Sequence, residues 1–199
     1  MAKGQVTNSS FVTPGVGWGP EAHGALLDTW CYDGRIRNVE HLLVILSDEI
    51  ASFLTGGVSI TVASRSAQLV PSVARAKGCV VVRGAAPKLR VLMSAAQAGA
   101  CLDDVRATGM ISVTFSIPNT HRTVQLKGID ATIAAFTAAD REAVSAYVEA
   151  FAEAIRPLGF LEEFTHAFFA SPVDEVAIEF TPTEAFQQTP GPKAGARLS

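Results

Sequence analysis

Residues 110–128, MISVTFSIPNTHRTVQLKG, decide how the rest of the chain is read. Ile111, Val113, Phe115 and Ile117 make an apolar, β-rich run that stops at Pro118-Asn119. Arg122, Val124 and Leu126 then alternate with Thr123, Gln125 and Lys127. β-Branched and aromatic residues fit a pleated surface, and Pro-Asn is a turn signal that sits poorly inside a central ladder. The stretch therefore predicts two antiparallel strands joined by a short turn, the second with one apolar and one polar face. Whether that polar face meets water or a ligand is the functional question.

Outward from this hairpin the pattern repeats. Val58 to Ala63 alternates as V-S-I-T-V-A. Leu69 to Val82 is extended, with interruptions at Pro71 and Gly78, and Lys88 to Ser94 alternates again after a loop at Arg83–Pro87. Ala95 to Thr108 reads as a helix stopped by Gly109, with Ala98, Cys101, Leu102 and Val105 on one side. Gly128 to Phe136 continues the hairpin's second strand across a bend at the glycine. Thr137 to Ile155 is a helix capped by Thr137 with Asp140 in the capping-box position, and Val144, Tyr147, Val148, Phe151 and Ile155 form its apolar stripe. Phe160 to Phe169 predicts a short helix and Val173 to Thr181 a last strand. The tail from Pro182 to Ser199 is rich in Pro and Gly and carries Phe186-Gln187-Gln188-Thr189-Pro190. On the other side, Asn38 to Leu54 predicts a helix, with Ser47 as an alternative cap for a separate helix starting at Asp48. Residues 1–37 form an irregular N-terminal arm whose Trp18, Trp30 and Tyr32 argue for packing against the body or a partner, and residues 38–199 form the main domain with its tail. The pattern predicts a mainly β fold with flanking helices: about six short antiparallel strands, in a barrel or sandwich.

Composition narrows the function classes. The chain has 199 residues, 48% hydrophobic and 18% charged, with a net charge of −3. The charged fraction is below the roughly 25% usual in soluble domains, which points to surface buried in an oligomer. The slight negative charge argues against nucleic acid as a partner. Cys31, Cys79 and Cys101 are scattered and odd in number, which predicts reduced thiols and a cytoplasmic setting rather than disulfides or zinc. The N-terminal run lacks a signal-peptide core, and His41–Leu54 is too short and too polar to span a membrane. Asp103-Asp104 reads as a solvated helix face, since adjacent helical residues do not face each other. His121 reads as a solvated turn residue.

The order of these elements, together with four stretches, resembles the pyridoxamine 5′-phosphate oxidase-like flavin split barrels. Pro71 to Gly78 (PSVARAKG) resembles the family's second strand, where basic residues approach the FMN phosphate. Arg90 to Ser94 resembles the next strand, His121 to Gly128 resembles its R-Q-V-R-V-E-G strand, and Phe180 to Thr189 resembles the closing strand with its E-F-W-Q-G sequel. The resemblance runs from about Asp48 to Gly191. It implies a six-stranded antiparallel split β-barrel of Greek-key type, FMN as cofactor, and a homodimer acting as an oxidoreductase on a small organic substrate. The chain departs from the family where Ala95–Gly99 replaces a Ser-Arg-Lys cluster, where Thr123 and Gln187 replace a Gln and a Trp, and where Pro190–Gly195 replaces an Arg-x-His. Pyridoxine phosphate is therefore not the expected substrate. A non-catalytic binding protein that has lost FMN, or that holds haem or a deazaflavin, is the alternative.

The candidate cofactor residues follow from the same stretches. Arg75 alternates with Val73 and Lys77 on an Ala-rich strand, a position that suits either a phosphate clamp or a solvent-facing arginine. Arg75, Lys77 or Arg122 must supply the cationic charge for a phosphate, because charge-assisted donors are what a partly dry phosphate requires. Ser94 offers a hydroxyl at its motif position. Thr123 is placed near the flavin by the resemblance. Gln125, with donor and acceptor, suits the pyrimidine edge of an isoalloxazine or a plain polar face. Gln187 belongs to a segment that either covers a neighbouring flavin or forms an ordinary surface tail.

Overall fold

The computed structural model describes residues 46–170 and 174–198. The N-terminal arm, and the part of the expected helix that precedes Leu46, lie outside them. In chain order the elements are α1 (Asp48–Thr55), β1 (Ser59–Arg65), β2 (Pro71–Val82), β3 (Lys88–Ser94), α2 (Ala95–Thr108), β4 (Ile111–Ser116), β5 (Thr123–Gly128), β6 (Thr132–Ala134), α3 (Ala138–Ile155), a 3₁₀ turn (Arg156–Leu158), α4 (Glu162–Phe169), β7 (Glu175–Phe180) and β8 (Glu184–Gln187).

All pairings are antiparallel, and the ladder order is β6-β7-β3-β2-β1-β4-β5-β8. Two strands turn this ladder into a ring. β2, 12 residues long, pairs with β1 through its first half and with β3 through its second. The chain through β5 and β6 pairs first with β4 and then with β7. The circuit β1–β2–β3–β7–β6/β5–β4–β1 is the split barrel that the sequence led us to expect. Among the described residues there are eight strands rather than six, because the corner at 129–131 divides one bent strand into β5 and β6, and because β8 forms inside the Pro- and Gly-rich tail, where no strand was expected. The corner is tight. A Cβ on Gly128 would lie 2.5 Å from Phe180 Cδ2 and 3.0 Å from the Thr181 carbonyl oxygen. Asp130 Oδ1 accepts the Thr181 N–H at 2.8 Å and locks it.

Alternation places the core. Ile60 and Val62 of β1, Val113 and Phe115 of β4, and Val124 and Leu126 of β5 point inward and are 5% exposed or less. Each such side chain contributes roughly 1.5–3 kcal/mol by leaving water. α2 packs against this interior with Ala98, Cys101, Leu102 and Val105, as its pattern foretold, and Gly109 closes it in the left-handed conformation at φ 66°. The expectation that Asp103 and Asp104 both face solvent is corrected. Asp103 is exposed and pairs with Arg106, whereas Asp104 is buried and accepts the Ser64 hydroxyl at 3.0 Å. α3 begins with the expected capping box between Thr137 and Asp140. Its Tyr147 hydroxyl donates to the Val58 carbonyl at 2.9 Å, holding the helix to the entrance of β1. At α1, Ser47 is the cap: its hydroxyl accepts the Ile50 N–H at 3.4 Å. Among the described residues no helix is long and apolar enough to cross a membrane.

Candidate functional site

The site starts with a register shift. Ala76 lies opposite Met93 and Gly78 opposite Leu92, so Lys77 is the extra residue of a β-bulge in β2. A bulge re-aims a side chain and breaks strict alternation. Lys77 is only 4% exposed, and burial lowers its ammonium pKa while the charge of Glu175 opposes that fall. Among the described residues it has no ion-pair partner. Arg75, two residues earlier, is half-buried. Its guanidinium carbon lies 5.4, 5.2 and 5.8 Å from the ring centres of Phe151, Phe168 and Phe169, within cation–π range. Its Nε is buried with no acceptor.

Arg75, Ala76, Lys77, Gln97, Phe168 and Phe169 line a cleft of about 60 Å³. An orphaned buried donor costs roughly 1–3 kcal/mol, more when charged. An acceptor-rich anion in this cleft would satisfy Arg75 Nε and pair with the Lys77 charge beside it. The residues present thus fit a phosphate.

The rest of the polar surface lies on the outer face of the barrel. Arg75, Thr61, Thr114, Gln125 and Phe186 stand opposite one another across β2, β1, β4, β5 and β8. Residues directly opposite in a ladder point to the same face, so all five share it, with each of them half-buried. Three strand spacings separate Arg75 from Gln125, roughly 14 Å. Gln125 Nε2 donates to Ser112 Oγ at 2.9 Å, and its Oε1 accepts from Gln188 Nε2 at 3.0 Å. Thr123, in the next row, is buried. Its hydroxyl lies 2.7 Å from Ser116 Oγ and donates to the His121 carbonyl at 2.9 Å.

The structure brings together Arg75 and Lys77 at the cleft and sets Gln125 on the same face as Arg75. It does not bring Arg122 to the cleft. That side chain pairs with Glu49 at 3.1 Å and lies over the Phe53 ring. Ser94 is buried at the start of α2, opposite Glu175, and is not among the cleft residues. Gln187 pairs with Val124 on β5 and so faces away from the Gln125 row; its backbone is tied to Ala196 and Gly195. Gln188, one residue on, is the glutamine that reaches Gln125. Gln97, Phe168 and Phe169 were not singled out in the sequence. Gln97, exposed and within the uncharged Ala95–Gly99 stretch, brings an amide to the lining of the cleft. His121 is exposed with φ 58°, the turn residue expected.

No family model and no curated protein matches the chain. Among solved structures, HupZ of group A Streptococcus is 15% identical, with 75% of this chain and 99% of that one covered and a TM-score of 0.46. A putative pyridoxamine 5′-phosphate oxidase from Lactobacillus delbrueckii is 10% identical over 71% and 93% of the two chains, with a TM-score of 0.42. HutZ, the haem storage protein of Vibrio cholerae, is 16% identical over 71% and 94%, with a TM-score of 0.41. At these identities and scores each is a similarity and nothing more; the fold rests on the pairings described above.

Proposed function

We propose that this protein binds FMN, with Arg75 and Lys77 holding the phosphate and the Thr61–Thr114–Gln125 row facing the cofactor, and that it works as a homodimeric oxidoreductase on a small organic substrate. One observation carries this reading: Lys77, buried and without an ion-pair partner, lines one cleft with Arg75, whose Nε also lacks an acceptor. Desolvating a cation with no partner is unfavourable unless a ligand repays it. Bound FMN supplies the electron-transfer chemistry; the protein's part is to position it and to shape the space around it.

The size of the cleft supports the homodimer. A cleft of about 60 Å³ is far below the roughly 300–1,000 Å³ of cofactor pockets, so in this reading a second copy completes the walls. The test is direct. Purified protein, or protein incubated with FMN, quenches FMN fluorescence with micromolar affinity, and Arg75→Ala weakens binding at least tenfold. A colourless protein that ignores FMN overturns the proposal. Uptake of haem or a deazaflavin in its place would favour the alternative ligand.

A further inference from the structure

Glu149 of α3 and Glu162 and His166 of α4 converge on the side of the protein where these two helices meet. His166 Nε2 lies 3.5 Å from Glu149 Oε1 and 3.6 Å from Glu162 Oε1, and all three donor atoms lie within 4.8 Å of one another. Glu162 and His166 are four apart on one helix, the spacing that puts two side chains on one face. The third donor comes from a different helix. Imidazole nitrogen and carboxylate oxygen bind zinc at about 2.0–2.2 Å, so tetrahedral donors sit roughly 3.4 Å apart. The two observed separations lie close to that value, before any ion draws the groups inward.

Charge balance points the same way. Two carboxylates meet one imidazole, and among the described residues neither Glu149 nor Glu162 is paired with lysine or arginine. α4 itself is thinly attached. Phe169 and Thr165 are its only buried residues, the Thr165 hydroxyl has no hydrogen-bond partner, and Phe164 and Phe168 remain about half exposed.

We propose that Glu149, Glu162 and His166 form a three-ligand site for a divalent transition ion of the zinc class, which staples α4 to α3. One imidazole with two carboxylates suits zinc over magnesium or calcium, which favour all-oxygen shells. α4 also carries Phe168 and Phe169 against Arg75, so the staple fixes one wall of the cleft. The site does not depend on whether that cleft holds FMN.

The experiment is calorimetric titration of chelator-treated, full-length protein with zinc chloride, alongside thermal unfolding with and without the metal. One zinc per chain binds and raises the midpoint of unfolding; magnesium at the same concentration does neither. His166→Ala and Glu149→Gln each weaken zinc binding at least tenfold. Both positions are solvent-exposed, and two variants on different helices guard against misfolding of either one. In the cobalt-substituted protein, a visible ligand-field band is present in wild type and lost in His166→Ala. Zinc binding of equal strength in both variants, or no binding to wild type, overturns the proposal, whatever FMN does.

Discussion

Arg90 grips Asp140 with two parallel hydrogen bonds, Nε to Oδ1 at 2.7 Å and Nη2 to Oδ2 at 2.6 Å, and so ties the middle of β3 to the first turn of α3. The same guanidinium reaches Glu179 of β7 and the Ala135 carbonyl, while Asp140 also accepts from the Thr137 hydroxyl and N–H. Arg90 is 9% exposed and Asp140 3%. A buried pair of this kind is costly to break from one side, by about 3–5 kcal/mol, because the remaining charge is stranded. We expect Arg90→Ala to lose that much in urea unfolding at neutral pH.

The same pair sets a pH dependence. Arg90 holds the Asp140 carboxyl down at about 2, against an ordinary 3.8. The unfolded chain therefore binds this proton first as acid is added. The resulting stability, about 2 kcal/mol, is fully present above about pH 4 and disappears as pH falls through about 2. Asp140→Asn removes it at neutral pH. The stability gap between wild type and Asp140→Asn should narrow steadily in urea melts taken from about pH 5 downward, and a gap that stays constant would remove Asp140 as its source.

Gly128 marks the seam where β5 leaves one side of the barrel for β6 on the other. In Gly128→Ala the new methyl meets the Phe180 ring and the Thr181 carbonyl oxygen at contact distances too short to keep. Overpacking of this kind costs about 1–3 kcal/mol. Thermal unfolding should fall accordingly, with secondary structure retained below the transition.

Much of this was legible in the sequence. The hairpin at 111–128 declared itself through strict alternation around Pro118-Asn119, and the capping box at Thr137 fixed the start of α3 to the residue. The barrel's closure was less visible, since it depends on Gly128 lying against Phe180, which is far away in the chain. β8 was hidden because its four residues sit between prolines and draw their pairing from β5. Asp104 was misread because adjacency says only that it and Asp103 diverge; it cannot say that Ser64 waits on the inner side. At the site, Arg75 and Lys77 stood out as cations on an apolar strand, but a bulge exists only relative to a partner, and nothing within β2 records the register of β3. Phe168 and Gln97 reach the cleft from different helices, a proximity that no local pattern encodes.

The outer face of β2 makes assembly testable. Val73 is 68% exposed, and Leu69 and Val70, in the turn before the strand, are each 60% exposed. These apolar side chains lie on the same stretch as the cation that opens the cleft. If a second copy covers this face, wild type is a dimer by light scattering, and Val73→Glu, which places a charge in the interface, shifts it to monomer and weakens FMN binding in parallel. A wild-type monomer at micromolar concentration would refute a site built from two chains.

Lys77 offers the sharpest separation of folding from function. Lys77 is 4% exposed with no ion-pair partner among the described residues, and burial favours its neutral form. That arrangement is a poor choice for stability alone, since an isobulky apolar chain would fill the bulge without desolvating a charge. Lys77→Met should therefore leave the ligand-free protein as stable or more stable, by about 1 kcal/mol, in the manner of buried ionic groups replaced by apolar ones. In the same variant FMN binding should weaken at least tenfold, because a charge-assisted contact to phosphate contributes about 1.5–3 kcal/mol. The two readouts move in opposite directions only if the lysine is kept for a ligand. A variant that loses stability while FMN affinity holds would show that Lys77 serves the bulge and not the cofactor.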